Sequence, residues 1–532
     1  MHSKKLFIYP LVFLLSLILL LVTDGFYAVE RFYAIGLNTQ GNLGLAEYFR
    51  RFVFIGEYIL AVTILFTATN IRRPYGTIIL IILWVLFSID LITHHIYGRP
   101  ADVANIAMLN ASVANLSDAF AQYEDIILTA LAKTTVVFLP LIIISSISLS
   151  NGIWQKINGL FFFSSFVCLL FFYVFILVNR GAPALIGFPK GFSYGFGSLM
   201  VKINSEFTPI QTINTVPTTL LSEVRNEIRN IIVVVDESVE YGYFNQEFQN
   251  NAASIVDFGK SFSGGNCSAT SNYIIRKGYW EKSQGNSLGI KQVESLFSIA
   301  KRHGFYTTYV DNQSVLRDKT IRNYIDETEL GQITNPIHND APPMHERDKQ
   351  TIDIIRSLLK NREHNFIFIN KIGAHFPYAQ TIDPNRVSNS NLENYRESIR
   401  TNSVKFIERL NQIIGNDSVV FYTSDHGQEL NARATHCNTG RNISDNEYTV
   451  PFIIMTKNSD LLQIIKNAQN KAQNRLSHLE FSESIRNLLG EEIQEANSVF
   501  KWKNTSIPYC GMYGQPFAFL GVNPSCHQLI KP

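Results

Sequence analysis

The sequence predicts two parts: a multi-span α-helical membrane domain, then an α/β domain with a mostly parallel central sheet. Three observations point there. Residues 1 to about 180 are dominated by Leu, Ile, Phe and Val in long runs. From Asn230 onward, strand-like and helix-like segments alternate. The ends of several predicted strands carry carboxylates and imidazoles. With 46 Lys and Arg against 44 Asp and Glu, the net charge is +2 and no basic stripe marks a nucleic-acid partner.

Five apolar runs, near 6–23, 52–70, 77–97, 129–149 and 160–179, approach or reach the roughly 20 residues that cross a bilayer. The first follows Lys4 and Lys5. Its stretch from Leu6 to Val22 exceeds an ordinary signal-peptide core and no A-x-A-like site follows, so it is expected to stay as an anchor. Glu57, Asp90, His94 and His95 within the runs are costly against lipid and are expected to face an interface or cavity. About 30 residues between the third and fourth runs show helical spacing and are expected to lie on the membrane. Residues 181–227, with "GFPKGFSYGFG", are expected to form a linker at its surface.

Lys4, Lys5, Arg72, Arg73 and Lys156 fall on one side of this topology. Arg31, Arg50, Arg51 and Arg99 on the other side sit among Asp24, Glu30 and Glu47. The positive-inside rule then puts the N-terminus in the cytoplasm. Five spans would place everything after Arg180 outside, in the periplasm of a bacterial inner-membrane protein. Four of the five cysteines, Cys267, Cys437, Cys510 and Cys526, lie in that part, which allows two disulfides in any of three pairings. Cys168 lies in the fifth run.

In the domain expected over 228–532, "NIIVVV" (230–235) reads as a buried strand and 290–304 as a helix. Residues 305–310 read as strand, 346–361 as helix and 365–370 as strand. A long amphipathic helix is expected over 394–415, a strand over 418–424, another over 448–456 and a helix over 480–490. Such alternation argues for a sheet covered on both faces, with its ligand crevice beyond the carboxyl ends of the strands.

Those ends share a chemistry. The first strand runs into Asp236-Glu237-Ser238, the strand 365–370 into "KIGAHFPY" with His375, and the strand 418–424 into Asp425-His426-Gly427, with His436 ten residues on. Between the first two lies a hydroxyl-rich stretch, "SFSGGNCSATSNY". Each member alone has an ordinary structural explanation; their coincidence at successive strand ends does not. Asp, Glu and His bind a zinc-type ion, and a hydroxyl beside such an ion becomes a nucleophile near neutral pH. In "DNQSVLRDK" (311–319), Arg317 and Lys319 are candidates to neutralise the oxygens of a phosphoryl or sulfuryl group.

The order of spans, linker and α/β domain resembles the lipid A phosphoethanolamine transferases of the alkaline phosphatase/sulfatase superfamily. So do the motifs "VVVDES", "DNQS", "KIGAHFPY" and "TSDHGQEL". The resemblance implies a zinc enzyme with one ion or two, held by Glu237, Asp425, His426 and the nucleophile oxygen. It implies Thr270 as nucleophile and metal ligand: the family's threonine follows a cysteine by a few residues. Counting from Cys267 without a gap gives Ser271 as the alternative. It also implies His375, His436, Asn312 and Lys319 on the substrate side. Three departures stand out. Asn370 replaces a family histidine, the Val-Pro-Cys after the nucleophile is missing, and the tail from Trp502 brings two cysteines of its own.

The implied activity moves phosphoethanolamine from phosphatidylethanolamine to a surface glycolipid, lipid A or lipopolysaccharide core, through a phospho-threonine-type intermediate on a monomeric enzyme. Alternatives are a phosphoglycerol transferase using phosphatidylglycerol and a membrane-anchored sulfatase or phosphodiesterase. No Cys-x-Pro-x-Arg surrounds the nucleophile loop, which weighs against a formylglycine sulfatase. A non-catalytic envelope scaffold would be expected to have lost the metal ligands.

Overall fold

The computed structural model describes residues 2–34, 45–97, 106, 116–146, 153–180, 185, 187–207, 212–213, 215–218, 226–249, 252–281, 289–316, 325, 327–360, 364–432, 434–438, 442–493, 497–502, 509–513 and 525–529. They fall into two compact units: the helices up to Phe207, and the sheet with its helices beyond.

The first unit holds α1 (His2–Ala34), α2 (Leu45–Ala68), α3 (Tyr75–Tyr97), α4 (Leu116–Ser145), α5 (Ile153–Arg180) and α6 (Phe192–Phe207). The helices α2 to α5 contain 4 segments long and apolar enough to cross a membrane. In α1, where a fifth was expected, the described apolar stretch is Tyr9–Leu21, which is shorter than a span. Apolar side chains turned outward, such as Phe52 at 73% exposure and Val136 at 72%, suit a lipid environment. The helix α6 occupies part of the expected linker, and the surface helix expected between α3 and α4 lies largely outside the described residues.

The ionisable groups inside this unit are paired, as their cost in a membrane requires. Arg31 meets Glu57 at 2.6 Å, and the Tyr58 hydroxyl donates to Gly187 O at 3.0 Å. Asp90 accepts from Gly191 N at 2.7 Å, while Lys190 contacts Thr23 O and His94 Nδ1. Both groups pin the segment 187–191 to the bundle. His95 lies half-buried, with Nδ1 2.8 Å from Leu91 O and Nε2 3.4 Å from Lys133 Nζ.

The second unit is built on seven strands: β1 (Asn230–Asp236), β2 (Ile255–Phe262), β3 (Tyr306–Asp311), β4 (Asn335–His338), β5 (Asn365–Asn370), β6 (Ser418–Ser424) and β7 (Thr449–Thr456). Their order is β2-β7-β6-β1-β5-β3-β4, and β7 runs antiparallel to both neighbours. The central strand β1 is buried along its whole length. Ile231, Val233 and Val235 enter one core, with α9 (Leu296–Arg302), α13 (Ser459–Ala472) and α14 (His478–Leu489). Ile232 and Val234 enter the other, with α7 (Tyr241–Glu247), α10 (Met344–Leu358), α11 (Asn391–Ser398) and α12 (Lys405–Ile413). The period-2 alternation of a strand thus feeds two helical layers.

Two helix expectations change. Residues Gly289–Val293 form a strand, and α9 starts only after Ser295, whose hydroxyl accepts from Phe297 N at 3.2 Å as an N-cap. The helix expected over 394–415 is interrupted by a π-helical turn, Ile399–Val404, between α11 and α12. There the Asn402 amide donates to Gly373 O at 3.0 Å and to Thr381 O at 2.8 Å. Such insertions cluster near functional sites. In the tail, β8 (Tyr509–Tyr513) and β9 (Ser525–Leu529) form a hairpin, and Met512 N donates to Gly264 O at 2.9 Å. Between β2 and β3 lies α8 (Ser268–Lys277), the helix that carries the predicted nucleophiles.

Candidate active site

β1 and β6 pair in parallel with Asp236 opposite Ser424, so the next residues, Glu237 and Asp425, emerge side by side. His426 follows, and donor atoms of Glu237, Asp425 and His426 all lie within 4.8 Å of one another. His426 Nε2 is 3.5 Å from Glu237 Oε1 and 3.6 Å from Asp425 Oδ2, with all three residues buried. The glycine after them is there for space. A Cβ on Gly427 would lie 2.1 Å from Asn446 O and 2.7 Å from Thr449 O.

The donors suit a cation. His426 Nδ1 is 2.8 Å from Gly427 O, a carbonyl that can only accept, so this nitrogen carries the proton. The lone pair of Nε2 therefore faces two carboxylates, an arrangement that repels unless a positive charge lies between them. Asp425 Oδ2 is buried and has no hydrogen-bond partner among the described residues. Burial opposes ionisation of Glu237, but the Ser238 hydroxyl and the surrounding polar groups outweigh it and hold the carboxyl at about 2. Burial and the neighbouring Glu237 charge push Asp425 well above the usual carboxylate range. Two adjacent buried carboxylates do not both ionise without a cation, and a divalent ion reverses that balance.

The hydroxyl at this cluster belongs to Ser268, the first residue of α8. Its Oγ lies 3.1 Å from His426 Nε2 and 3.3 and 3.4 Å from the two Glu237 oxygens. Neither residue expected from the sequence occupies that position. The Thr270 methyl packs toward Gly265, where an added Cβ would meet it at 2.6 Å. Ser271 Oγ contacts Asp425 O and lies 3.0 Å from His478 Nδ1. Helical spacing explains the difference. The cysteine sits immediately before the helix, so the oxygen at the helix N-terminus is one residue on, while Thr270 falls on another side of the helix, about 200° round, and Ser271 lies nearly a turn deeper.

The other expected residues divide. His375 is half-buried past β5, within electrostatic reach of Glu237 and His426. The His436 ring stacks on His426 with centroids 4.5 Å apart, and its Nδ1 is 3.3 Å from Gln428 Oε1. Asn312 is fully buried in another network, donating to Asp348 at 2.7 Å and Thr351 at 3.0 Å. Its neighbour Gln313 reaches the site instead, donating to Glu237 Oε2 at 2.9 Å. Arg317 and Lys319 lie outside the described residues.

Two further groups brace the site. Lys371, directly after β5, is fully buried; its Nζ donates to Asp236 at 2.7 Å and to Asn402 O in the π turn at 2.6 Å. Its place beside "VVDES" across the sheet was the available signal. A disulfide joins Cys267 to Cys437, which are 170 residues apart and adjacent to Ser268 and His436. Cys510 in the hairpin is disulfide-bonded too, and Cys168 is free.

A family model for Sulfatase matches residues 229–491. Among solved structures, the integral membrane lipooligosaccharide phosphoethanolamine transferase A of Neisseria meningitidis is 17% identical. It covers 90% of this chain and 95% of its own, with a TM-score of 0.57, so the fold extends over both units. The C-terminal periplasmic domain of EcEptC from Escherichia coli, in complex with Zn, is 15% identical over 57% of this chain and 93% of its own, TM-score 0.44. Lipoteichoic acid synthase LtaP from Listeria monocytogenes is 12% identical over 57% and 85%, TM-score 0.35. A search of curated protein sequences gave no match. Residues 229–491 are therefore a sulfatase-family domain.

Proposed function

We propose that this protein is a membrane-anchored, zinc-dependent phosphoethanolamine transferase in which Ser268 is the nucleophile. The observation that carries this reading is the Ser268 hydroxyl, 3.1–3.4 Å from His426 and Glu237 at the N-terminus of α8. Glu237, Asp425, His426 and Ser268 would hold the metal, which when bound lowers the pKa of a hydroxyl and neutralises phosphoryl charge.

The chain's own residues then divide the work. Ser268 Oγ attacks the phosphorus of phosphatidylethanolamine, forming a P–O bond. The bond to diacylglycerol breaks, and the leaving oxygen takes up the proton that the serine gives away. A hydroxyl or phosphate oxygen of a surface glycolipid, lipid A or lipopolysaccharide core, repeats the displacement and restores the serine. The α8 N-terminus presents backbone N–H groups to anionic oxygens. His375 and His436 flank the metal ligands and are assigned to the substrate phosphate, with Lys319 as a further candidate.

Membrane anchorage fits a lipid donor and a lipid-linked acceptor, because both stay within reach of a tethered domain. Disulfides fit an oxidising compartment. Counting α1 as a fifth span puts the sulfatase-family domain across the bilayer from Lys4 and Lys5, in the periplasm. A direct test is diacylglycerol release from phosphatidylethanolamine vesicles by the full-length protein, with phosphatidylglycerol vesicles in parallel. Release from phosphatidylethanolamine is expected. Release only from phosphatidylglycerol would replace the donor, and release from neither would remove the transferase reading.

A further inference from the structure

His478 is the first residue of α14 and is fully buried, yet it touches three separate parts of the site's frame. Its Nε2 lies 2.9 Å from Ser424 O, at the end of β6 directly before Asp425. A carbonyl can only accept, so Nε2 carries a proton. Its Nδ1 lies 3.1 Å from Gly264 N, in the loop leading to α8; that N–H can only donate, so Nδ1 is bare. The ring is therefore neutral with one tautomer fixed by its surroundings, and burial lowers its pKa to about 3. Ser271 Oγ, 3.0 Å from the same Nδ1, also contacts Asp425 O, which can only accept, so the serine proton goes there.

We infer that His478 is a positioning residue: by tying the Gly264 loop that leads into α8 to Ser424 at the end of β6, alongside the separate contact of Ser271 with Asp425 O, it sets the separation between Ser268 and the metal ligands. Ser268 and Ser271 are three residues apart on one helix face, so a shift of Ser271 against Asp425 O is passed directly to Ser268. Without the ring, the Gly264 loop would lose its hydrogen bond to α14 and its link through the imidazole to Ser424 at the end of β6. The inference rests on Ser268 as the reacting hydroxyl, but its test does not depend on the donor.

The full-length, metal-loaded protein is compared with His478→Phe, His478→Gln, Ser271→Ala and Ser268→Ala. One readout is diacylglycerol release. His478→Phe is expected to lower kcat ~10–100-fold at nearly constant KM and unchanged bound zinc, the size of loss that a misplacement of about 1 Å produces. His478→Gln, whose amide can both donate and accept, is expected to recover part of it. The other readout is the visible spectrum of the cobalt(II)-loaded protein, which needs no substrate. The His478→Phe bands are expected to move toward those of Ser268→Ala. If His478→Phe does not fold, Ser271→Ala must move the bands in the same direction. Cobalt bands identical to wild type in the folded His478 or Ser271 variants would overturn the inference, as would a kcat loss that Gln does not relieve. A wild-type protein that releases no diacylglycerol would count against the transferase reading alone, since the cobalt comparison still decides this one.

Discussion

The site has two halves that are built in different ways. At the sheet edge, Glu237, Asp425 and His426 extend from parallel strands whose register is fixed by seven residue pairs between β1 and β6, inside a core buried on both faces. On the other side, Ser268 sits on a helix whose place depends on long-range contacts. These are the Cys267–Cys437 bridge, the His478 ring and the Met512–Gly264 bond to the C-terminal hairpin. The sheet needs nothing further to bring charges together, whereas the helix must be pinned. The halves should therefore fail differently: the first by losing metal, the second by losing chemistry while metal stays bound.

The largest effect that can break this contrast is on the sheet side. Asp425→Ala is expected to abolish activity and leave the purified protein with little bound zinc, read by metal analysis after dialysis. Full zinc retention would remove the metal assignment. Next comes the helix side, where Thr270→Ala is expected to keep activity within ~3-fold, the range of a substitution away from reacting atoms. A loss as large as that of Ser268→Ala would move the nucleophile back to Thr270.

The pinning itself is tested by replacing Cys267 and Cys437 with serine together. Loss of a bridge closing so long a loop is expected to cost about 2–4 kcal/mol in denaturant unfolding and to reduce turnover with zinc retained. Unchanged stability and turnover would show that α8 does not depend on it.

The smallest effect lies in α14, the helix that carries His478. Burial raises Glu483 to about 7, against an ordinary value of 4.5. A raised folded-state pKa contributes stability that is complete below the unfolded value and lost as pH rises through the folded one. Glu483→Gln should therefore raise the thermal midpoint relative to wild type more at pH 8.5 than at pH 5. An equal shift at both values would contradict the assignment.

The sheet-edge half was legible in the sequence because its signal is local. A buried strand followed by a carboxylate is visible in "IIVVVDES" and "VVFYTSDHG", and the parallel order follows from alternation with helices. The helix half was not, because its geometry depends on where α8 begins. Counting from the cysteine points to Thr270 and Ser271, whereas the helix starts at Ser268 and both later residues are buried along it. His478 had no signal of its own: a histidine opening an amphipathic helix says nothing about Ser424 or Gly264, which lie far from it in the chain. In "DNQS" the strand end was found, but the pleat sends Asn312 into the Asp348 network and Gln313 to Glu237. The π turn leaves no mark of its own in the sequence, because its apolar spacing continues the helical pattern.

The most direct test of the central claim is to incubate the zinc-loaded, full-length protein with phosphatidylethanolamine, stop the reaction in acid, and map the modified peptide by mass spectrometry. A phosphoethanolamine group on Ser268, absent from Ser268→Ala, is the result this account predicts. The same group on Thr270 or Ser271, or no adduct while diacylglycerol is still released, would contradict it.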